Sequence, residues 1–85
     1  MEKPSWFLYI VKCADGTLYT GVTTDVPRRV EEHNASEKAA KYTRVRRPVS
    51  LAHQEPYDSR SAACAREAAI KKLSREGKLA LIKEG

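Results

Sequence analysis

Tyr9, Tyr19, Arg29, His33 and Glu67 are the side chains of this sequence whose types and spacing could do chemistry together. Phenol, guanidinium, imidazole and carboxylate can between them deprotonate a water, neutralise a phosphate and hold a divalent cation. Hydrolysis of a phosphodiester needs an activated water, an electrophilic clamp and neutralisation of charge on the leaving oxygen. Glu67 can offer one carboxylate to Mg²⁺ (or Mn²⁺). Mg²⁺ keeps most of its waters and takes only one or two protein ligands. Arg29 can present a planar fork to the scissile phosphate. Tyr19 can accept a proton from water if a nearby cation lowers its pKa from about 10. Tyr9 and His33 can orient that proton path.

Each of these residues also has an ordinary structural explanation. Tyrosines in a half-buried hairpin commonly leave only the hydroxyl at the surface. Arg29 can pair with Asp25 or Glu32 at helical spacing, an interaction of about 0.3–0.5 kcal/mol. His33 can serve as a partner for a helix C-terminus. Glu67 can pair with Lys71 at i+4. However, its neighbours Ala63, Cys64 and Ile70 put the carboxylate beside an apolar face, where a surface pair has little reason to sit. It is the joint spacing of the set that argues for chemistry.

The elements that must position these groups can be read in order. Residues 6–12 and 17–22 are β-branched and aromatic, and Asp15-Gly16 between them signals a hairpin. A two-residue loop would place Tyr9 and Tyr19 on opposite faces. A three-residue loop, Ala14-Asp15-Gly16 with Gly16 left-handed, pairs residue 13 with 17, Val11 with Tyr19 and Tyr9 with Gly21. Cross-strand partners share a face, so this longer loop is the one predicted. Gly21 within a strand marks a bulge or a close approach of backbone. Asp25 caps a helix that has Pro27 in its first turn and runs to about Asn34, with Val26, Val30 and His33 on one stripe and Arg29 on its flank. Residues 37–47 are expected to form a helical turn plus loop. A third strand runs from Val49 to Glu55 and ends at Pro56. Asp58 or Ser59 opens a helix to about Leu73, and Ser74 caps a last one from Arg75 to Lys83. The expected fold is α+β, a small three-stranded antiparallel sheet flanked by helices in the order ββαβαα.

The chain has 85 residues, a length suited to a single domain over 1–85, with 41% hydrophobic residues and a net charge of +5. The charge favours a polyanionic partner. Lys38, Lys41, Arg44, Arg46 and Arg47, with Tyr42 among them, are expected to track a nucleic-acid backbone, as are Arg28 and Gly21. Such phosphate contacts give affinity and salt dependence without sequence preference; a solvated charged loop is the ordinary alternative. Cys13 and Cys64 lie far apart, and with His33 and His53 they lack the spacing of a zinc site. The longest apolar run, Trp6 to Val11, is too short to cross a bilayer. A cytoplasmic, reduced, soluble monomer with no secretory segment and no membrane partner is expected.

Over about Trp6 to Ile82 the sequence resembles the GIY-YIG nuclease family, especially its small single-domain bacterial members of the YhbQ type. Phe7-Leu8-Tyr9 corresponds to the first motif, keeping the tyrosine and lacking the glycine. Tyr19-Thr20-Gly21 corresponds to the second, with threonine in place of isoleucine. Arg29, eight residues past Gly21, and His33, four further on, fall where the family has an arginine and a histidine or tyrosine. Glu67, within Ala65-Arg66-Glu67-Ala68-Ala69, matches the metal-binding glutamate. The resemblance implies a divalent-metal-dependent DNA endonuclease or structure-selective nuclease of low sequence specificity, with RNA also open as substrate. The alternative is a nucleic-acid-binding module of the same fold with little or no turnover. A basic scaffold for a protein partner is a third reading.

Overall fold

Asp15 and Gly16 determine how the first two strands meet. In the computed structural model, which describes residues 5–84, Gly16 takes a left-handed φ of +85°. Its N–H donates to the Cys13 carbonyl at 2.9 Å, while the Cys13 N–H donates to the Thr17 carbonyl at 2.8 Å. Asp15 Oδ1 accepts from the Thr17 N–H at 3.0 Å and from its hydroxyl at 2.6 Å. The loop is therefore the predicted Ala14-Asp15-Gly16. It joins β1 (Trp6–Lys12) to β2 (Leu18–Thr23) in the register Tyr9↔Gly21 and Val11↔Tyr19. Both tyrosines project from one face.

β3 (Ser50–Tyr57) pairs antiparallel on the other side of β1, so the sheet order is β2-β1-β3. Pro56, expected to stop this strand, lies inside it opposite Phe7. An edge strand has only one neighbour and tolerates a residue with no N–H to give. The register slips by one residue between Ile10 and Val11, which face His53 and Leu51.

β1 is the central strand, and both of its faces are covered. Tyr9, Val11 and Cys13 pack with Val26 and Val49, and Phe7, Tyr19 and Val30 border that cluster. Leu8 and Ile10 pack with Ile70 on the opposite face, bordered by Leu18, Val22, Tyr57, Leu81 and Ile82. The first face carries α1 (Val26–Ala35) and the single turn α2 (Lys41–Arg44). The second carries α3 (Arg60–Lys71) and α4 (Arg75–Glu84). Asp25 caps α1 by accepting from the Arg28 N–H at 3.1 Å. Between the two proposed caps of α3, Ser59 is the one used, accepting from Ala62 N–H at 3.2 Å. That helix ends at Lys71, two residues short of the expected Leu73. Ser74 accepts from the Gly77 N–H at 3.1 Å at the start of α4. Counting the turn at 41–44 as a helix, the order is ββααβαα rather than ββαβαα. Among the described residues no helix is long and apolar enough to cross a membrane.

Glu55 ties β3 to α3. Its carboxylate accepts from Arg66 Nε at 3.0 Å and Nη2 at 3.3 Å, from the Tyr57 hydroxyl at 2.7 Å and from His53 Nε2 at 2.8 Å. Burial opposes its charge, but the hydrogen bonds from Arg66, His53 and Tyr57 outweigh burial and hold the carboxyl at about 2, against an ordinary value of 4.5. A depressed pKa means that this stabilisation is complete above pH 4.5 and is lost as pH falls through about 2. Glu55→Gln should cost about 1–2 kcal/mol in urea unfolding at pH 7. The gap from the unaltered protein should close towards pH 2; a gap that stays constant with pH would contradict the assignment.

Candidate active site

The Tyr9 ring lies across Gly21. A Cβ at position 21 would sit 2.6 Å from the Tyr9 hydroxyl oxygen and 2.8 Å from Cζ. The close approach anticipated at this glycine is thus that of the Tyr9 phenol. It lets a side chain from the central strand reach across the edge strand.

The hydroxyl of Tyr9 is 2.8 Å from His33 Nε2, and His33 Nδ1 is 2.6 Å from the Thr43 hydroxyl. Thr43 donates to the Ala40 carbonyl at 3.0 Å. That last bond fixes the direction of the string. With its proton given to Ala40, Thr43 can only accept, so His33 carries its proton on Nδ1 and its bare Nε2 accepts from Tyr9. Tyr9, His33 and Thr43 are all fully buried. Burial, and then the charges of Arg29 and Arg47 against the opposing carboxylate of Glu32, push the imidazole down to about 4. It is neutral at pH 7. Burial raises Tyr9 above its ordinary value of 10.0, with the hydrogen bond and charge of Arg29 working against the shift and Tyr19 and Glu67 adding to it. Tyr9 is therefore a protonated phenol, committed as a donor to His33.

Tyr19 is different. Its ring is half-buried, edge-on to His33 with centroids 5.4 Å apart, and its hydroxyl makes no hydrogen bond among the described residues. Arg29 Nη1 donates to Glu32 at 3.1 Å and to the Lys38 carbonyl at 3.0 Å. Its guanidinium also interacts with the Tyr9 hydroxyl.

Glu67 lies on the sheet-facing stripe of α3 between the buried Ala63 and Ile70, and it stands close enough for its charge to act on Tyr9. The pair with Lys71 does form, at 3.2 Å, contrary to the sequence expectation. Lys71 reaches Oε2 from the exposed side of the helix. Oε1 has no partner among the described residues. One half-buried carboxylate with a free oxygen fits a Mg²⁺ that completes its shell with water and phosphate oxygens. It does not fit a closed protein cage, and among the described residues no group of three metal-binding side chains exists.

The structure thus gathers Tyr9, Tyr19, Arg29 and His33, brings Glu67 within electrostatic reach of Tyr9, and divides the basic residues. Arg28, Lys38, Lys41 and Arg44 are exposed. Arg47 is turned inwards, donating to the His33 carbonyl at 2.5 Å and the Ser36 carbonyl at 2.6 Å at the end of α1. Arg46 is held by Asp15 at 3.1 Å. A cleft of about 560 Å³ borders α1, but Glu31, Glu32 and Glu37 line it with Arg28 and Lys38. Three carboxylates make it a poor seat for a polyanion. Sequence reasoning missed Thr43 and also Asn34, which exchanges hydrogen bonds with the Val49 backbone at 2.6 and 2.9 Å and fastens α1 to the start of β3. A small polar residue amid charged neighbours was the only available sign of Thr43. Thr20, the middle residue of the second motif, has a buried hydroxyl with no hydrogen-bond partner among the described residues.

Comparison with known proteins bears on the family and the fold. The sequence profile of the GIY-YIG catalytic domain matches residues 5–80. A UPF0213 protein of Desulfotalea psychrophila is 57% identical over 82 residues, covering 96% of this chain and 74% of that one. A UPF0213 protein of Bacillus halodurans, solved by solution NMR, superposes with a TM-score of 0.59 at 45% identity, over 92% of this chain and 82% of its own. An E. faecalis protein, also solved by NMR, gives 0.62 at 43% identity over 99% and 86%.

Two outcomes test the buried string. Gly21→Ala should displace the Tyr9 ring and destabilise the fold by about 1–3 kcal/mol in chemical denaturation; an unaltered midpoint would contradict the packing. In ¹⁵N NMR, His33 should show the Nδ1–H tautomer and stay neutral down to pH 5. An Nε2–H tautomer, or a charged ring at that pH, would reverse the direction assigned to the string.

Proposed function

The chain belongs to the family of GIY-YIG catalytic domains, and from that premise we propose that it hydrolyses DNA phosphodiesters as a divalent-metal-dependent endonuclease or structure-selective nuclease of low sequence specificity. The observation that carries this reading is the contrast between the two tyrosines. Tyr9 keeps its proton and commits it to a hydrogen bond with His33. The Tyr19 hydroxyl, the Arg29 N–H groups not given to Glu32, Lys38 or Tyr9, and Glu67 Oε1 are the polar groups of the site left to meet a substrate.

Their roles follow from their chemistry. Arg29 holds the scissile phosphate with its remaining N–H groups, donors that suit phosphate oxygens. Tyr19 is the base: once its own hydroxyl proton has passed to solvent, it takes a proton from the attacking water, whose oxygen forms the new bond to phosphorus as the bond to the leaving oxygen breaks. That oxygen is reprotonated from solvent. Tyr9, anchored by His33, accepts hydrogen bonds on its remaining lone pairs and keeps Arg29 in place. Glu67 would hold Mg²⁺ (or Mn²⁺), which when bound neutralises charge on the phosphate and leaving oxygen. Arg28, Lys38, Lys41 and Arg44 meet flanking phosphates, contacts that carry no base information. A cytoplasmic monomer making one cut per encounter is the proposed working unit, with RNA as a further substrate to test.

A second reading, a binding module without turnover, draws on the Lys71 ammonium that already partners Glu67.

The deciding assay is cleavage of labelled single-stranded, duplex and branched DNA, and of RNA, with Mg²⁺, Mn²⁺ or EDTA. Metal-dependent cleavage should fall at least about 100-fold in both Arg29→Ala and Glu67→Ala while the fold persists. Activity surviving in either variant would sink the assignment. Salt-sensitive binding without cleavage would select the second reading.

A further inference from the structure

A residue that takes a proton has to be held in place, and Tyr19 is poorly placed to hold itself. It sits on an edge strand, and its hydroxyl has no partner among the described residues to fix it. Besides the edge of His33, its ring meets that of Tyr42, with centroids 5.9 Å apart and planes 24° from parallel. Tyr42 belongs to α2, a four-residue turn with no side-chain cap. A turn that short does not hold its own shape in water.

Arg46 supplies what the turn lacks. Its guanidinium lies 3.9 Å over the Tyr42 ring centre, and its Nη1 donates to the Tyr42 carbonyl at 2.9 Å. Its Nε donates to Asp15 Oδ2 at 3.1 Å. The Arg46 carbonyl in turn accepts from the Ala14 N–H at 3.0 Å. Asp15 is the residue whose other oxygen caps Thr17 in the hairpin loop. A continuous column therefore runs from the hairpin loop through Arg46 and Tyr42 to Tyr19.

We propose that Tyr42, clamped by Arg46 and Asp15, is a positioning residue that fixes the Tyr19 ring for proton transfer. This rests on the reading of Tyr19 as the base. Catalytic groups must be held to within about 0.5 Å, and a displacement of about 1 Å costs on the order of 100-fold in rate. Without Tyr42 the Tyr19 ring keeps its inner contacts with the core cluster and the edge of His33 but loses the ring stacked on it. The same loop residue that puts both tyrosines on one face also anchors the ring that steadies one of them.

The test measures steady-state cleavage of one labelled DNA by the full chain and its variants, beside NMR of ring-labelled tyrosine. Tyr42→Ala should lower kcat about 10- to 100-fold with KM within about two-fold, and Tyr42→Phe, which keeps the stack, should recover most of the loss. In a Tyr19→Phe background, Tyr42→Ala should cost nothing further. A raised KM with kcat kept, or a loss that persists in the Tyr19→Phe background, would mean that Tyr42 binds DNA directly, and would overturn the proposal. If Tyr42→Ala does not fold, Arg46→Met decides the matter by the same kcat and KM criteria. The ring resonances of Tyr19 decide independently of activity. They should shift in Tyr42→Ala and stay in Tyr42→Phe; resonances unmoved in Tyr42→Ala would refute the clamp. A wild-type protein that cleaves nothing while these shifts appear would overturn the nuclease reading and leave the column standing.

Discussion

The hydrogen bond from the Tyr9 hydroxyl to His33 joins the central strand to α1, and the rest of the site is arranged around it. At 2.8 Å and fully buried, it is a bond for which water offers no substitute. An unsatisfied polar group in such a place costs about 1–3 kcal/mol, so every member of the string must find a partner. Tyr9 finds His33, His33 finds Thr43, and Thr43 finds a backbone carbonyl. The string fixes more than side chains. It sets how far α1 can slide along the sheet, and it pins the short turn at 41–44, whose Thr43 would otherwise be an exposed polar residue on a charged loop. Arg47 and Asn34 act on the same end of α1, one filling carbonyls at its C-terminus and the other holding the start of β3.

Charge is distributed with the same economy. Burial keeps His33 neutral, and the charges of Arg29 and Arg47 add to it while Glu32 opposes them. A neutral imidazole can accept from a phenol, whereas a charged one cannot. Of the basic residues along 38–47, some complete the fold and others are left to solvent. Arg47 satisfies a helix end and Arg46 covers an aromatic ring, while Lys38, Lys41 and Arg44 remain exposed. A net charge of +5 therefore overstates the charge offered to a partner.

Much of this was legible in the sequence where local chemistry decides the outcome. Asp15-Gly16 implied the loop and, through it, the register that puts Tyr9 opposite Gly21. Asp25 with Pro27 implied the start of α1, because capping and proline geometry depend on near neighbours. Partners distant in the chain left no local trace. Thr43 lies ten residues from His33 and Arg66 lies eleven from Glu55, and each looks like an ordinary surface residue until the fold brings its partner. Pro56 misled for a related reason: whether a proline breaks a strand depends on which edge of the sheet that strand occupies. Glu67 misled differently, since an apolar flank does not prevent a long lysine side chain from reaching over it. The run from Trp6 to Val11 showed no alternation because β1 is covered on both sides.

Gly21 has one more consequence, for geometry across the sheet. Tyr9, Arg29 and His33 belong to the α1 side, while Glu67 rises from the α3 side. The layer dividing them at this point is a single strand of backbone, bare of a side chain where the phenol crosses it. The separation of the helices that carry Arg29 and Glu67 is thus set by the main chain of the sheet between them. A polymer that engages both residues has to straddle the rim of the sheet, presenting its backbone as a ridge to an edge.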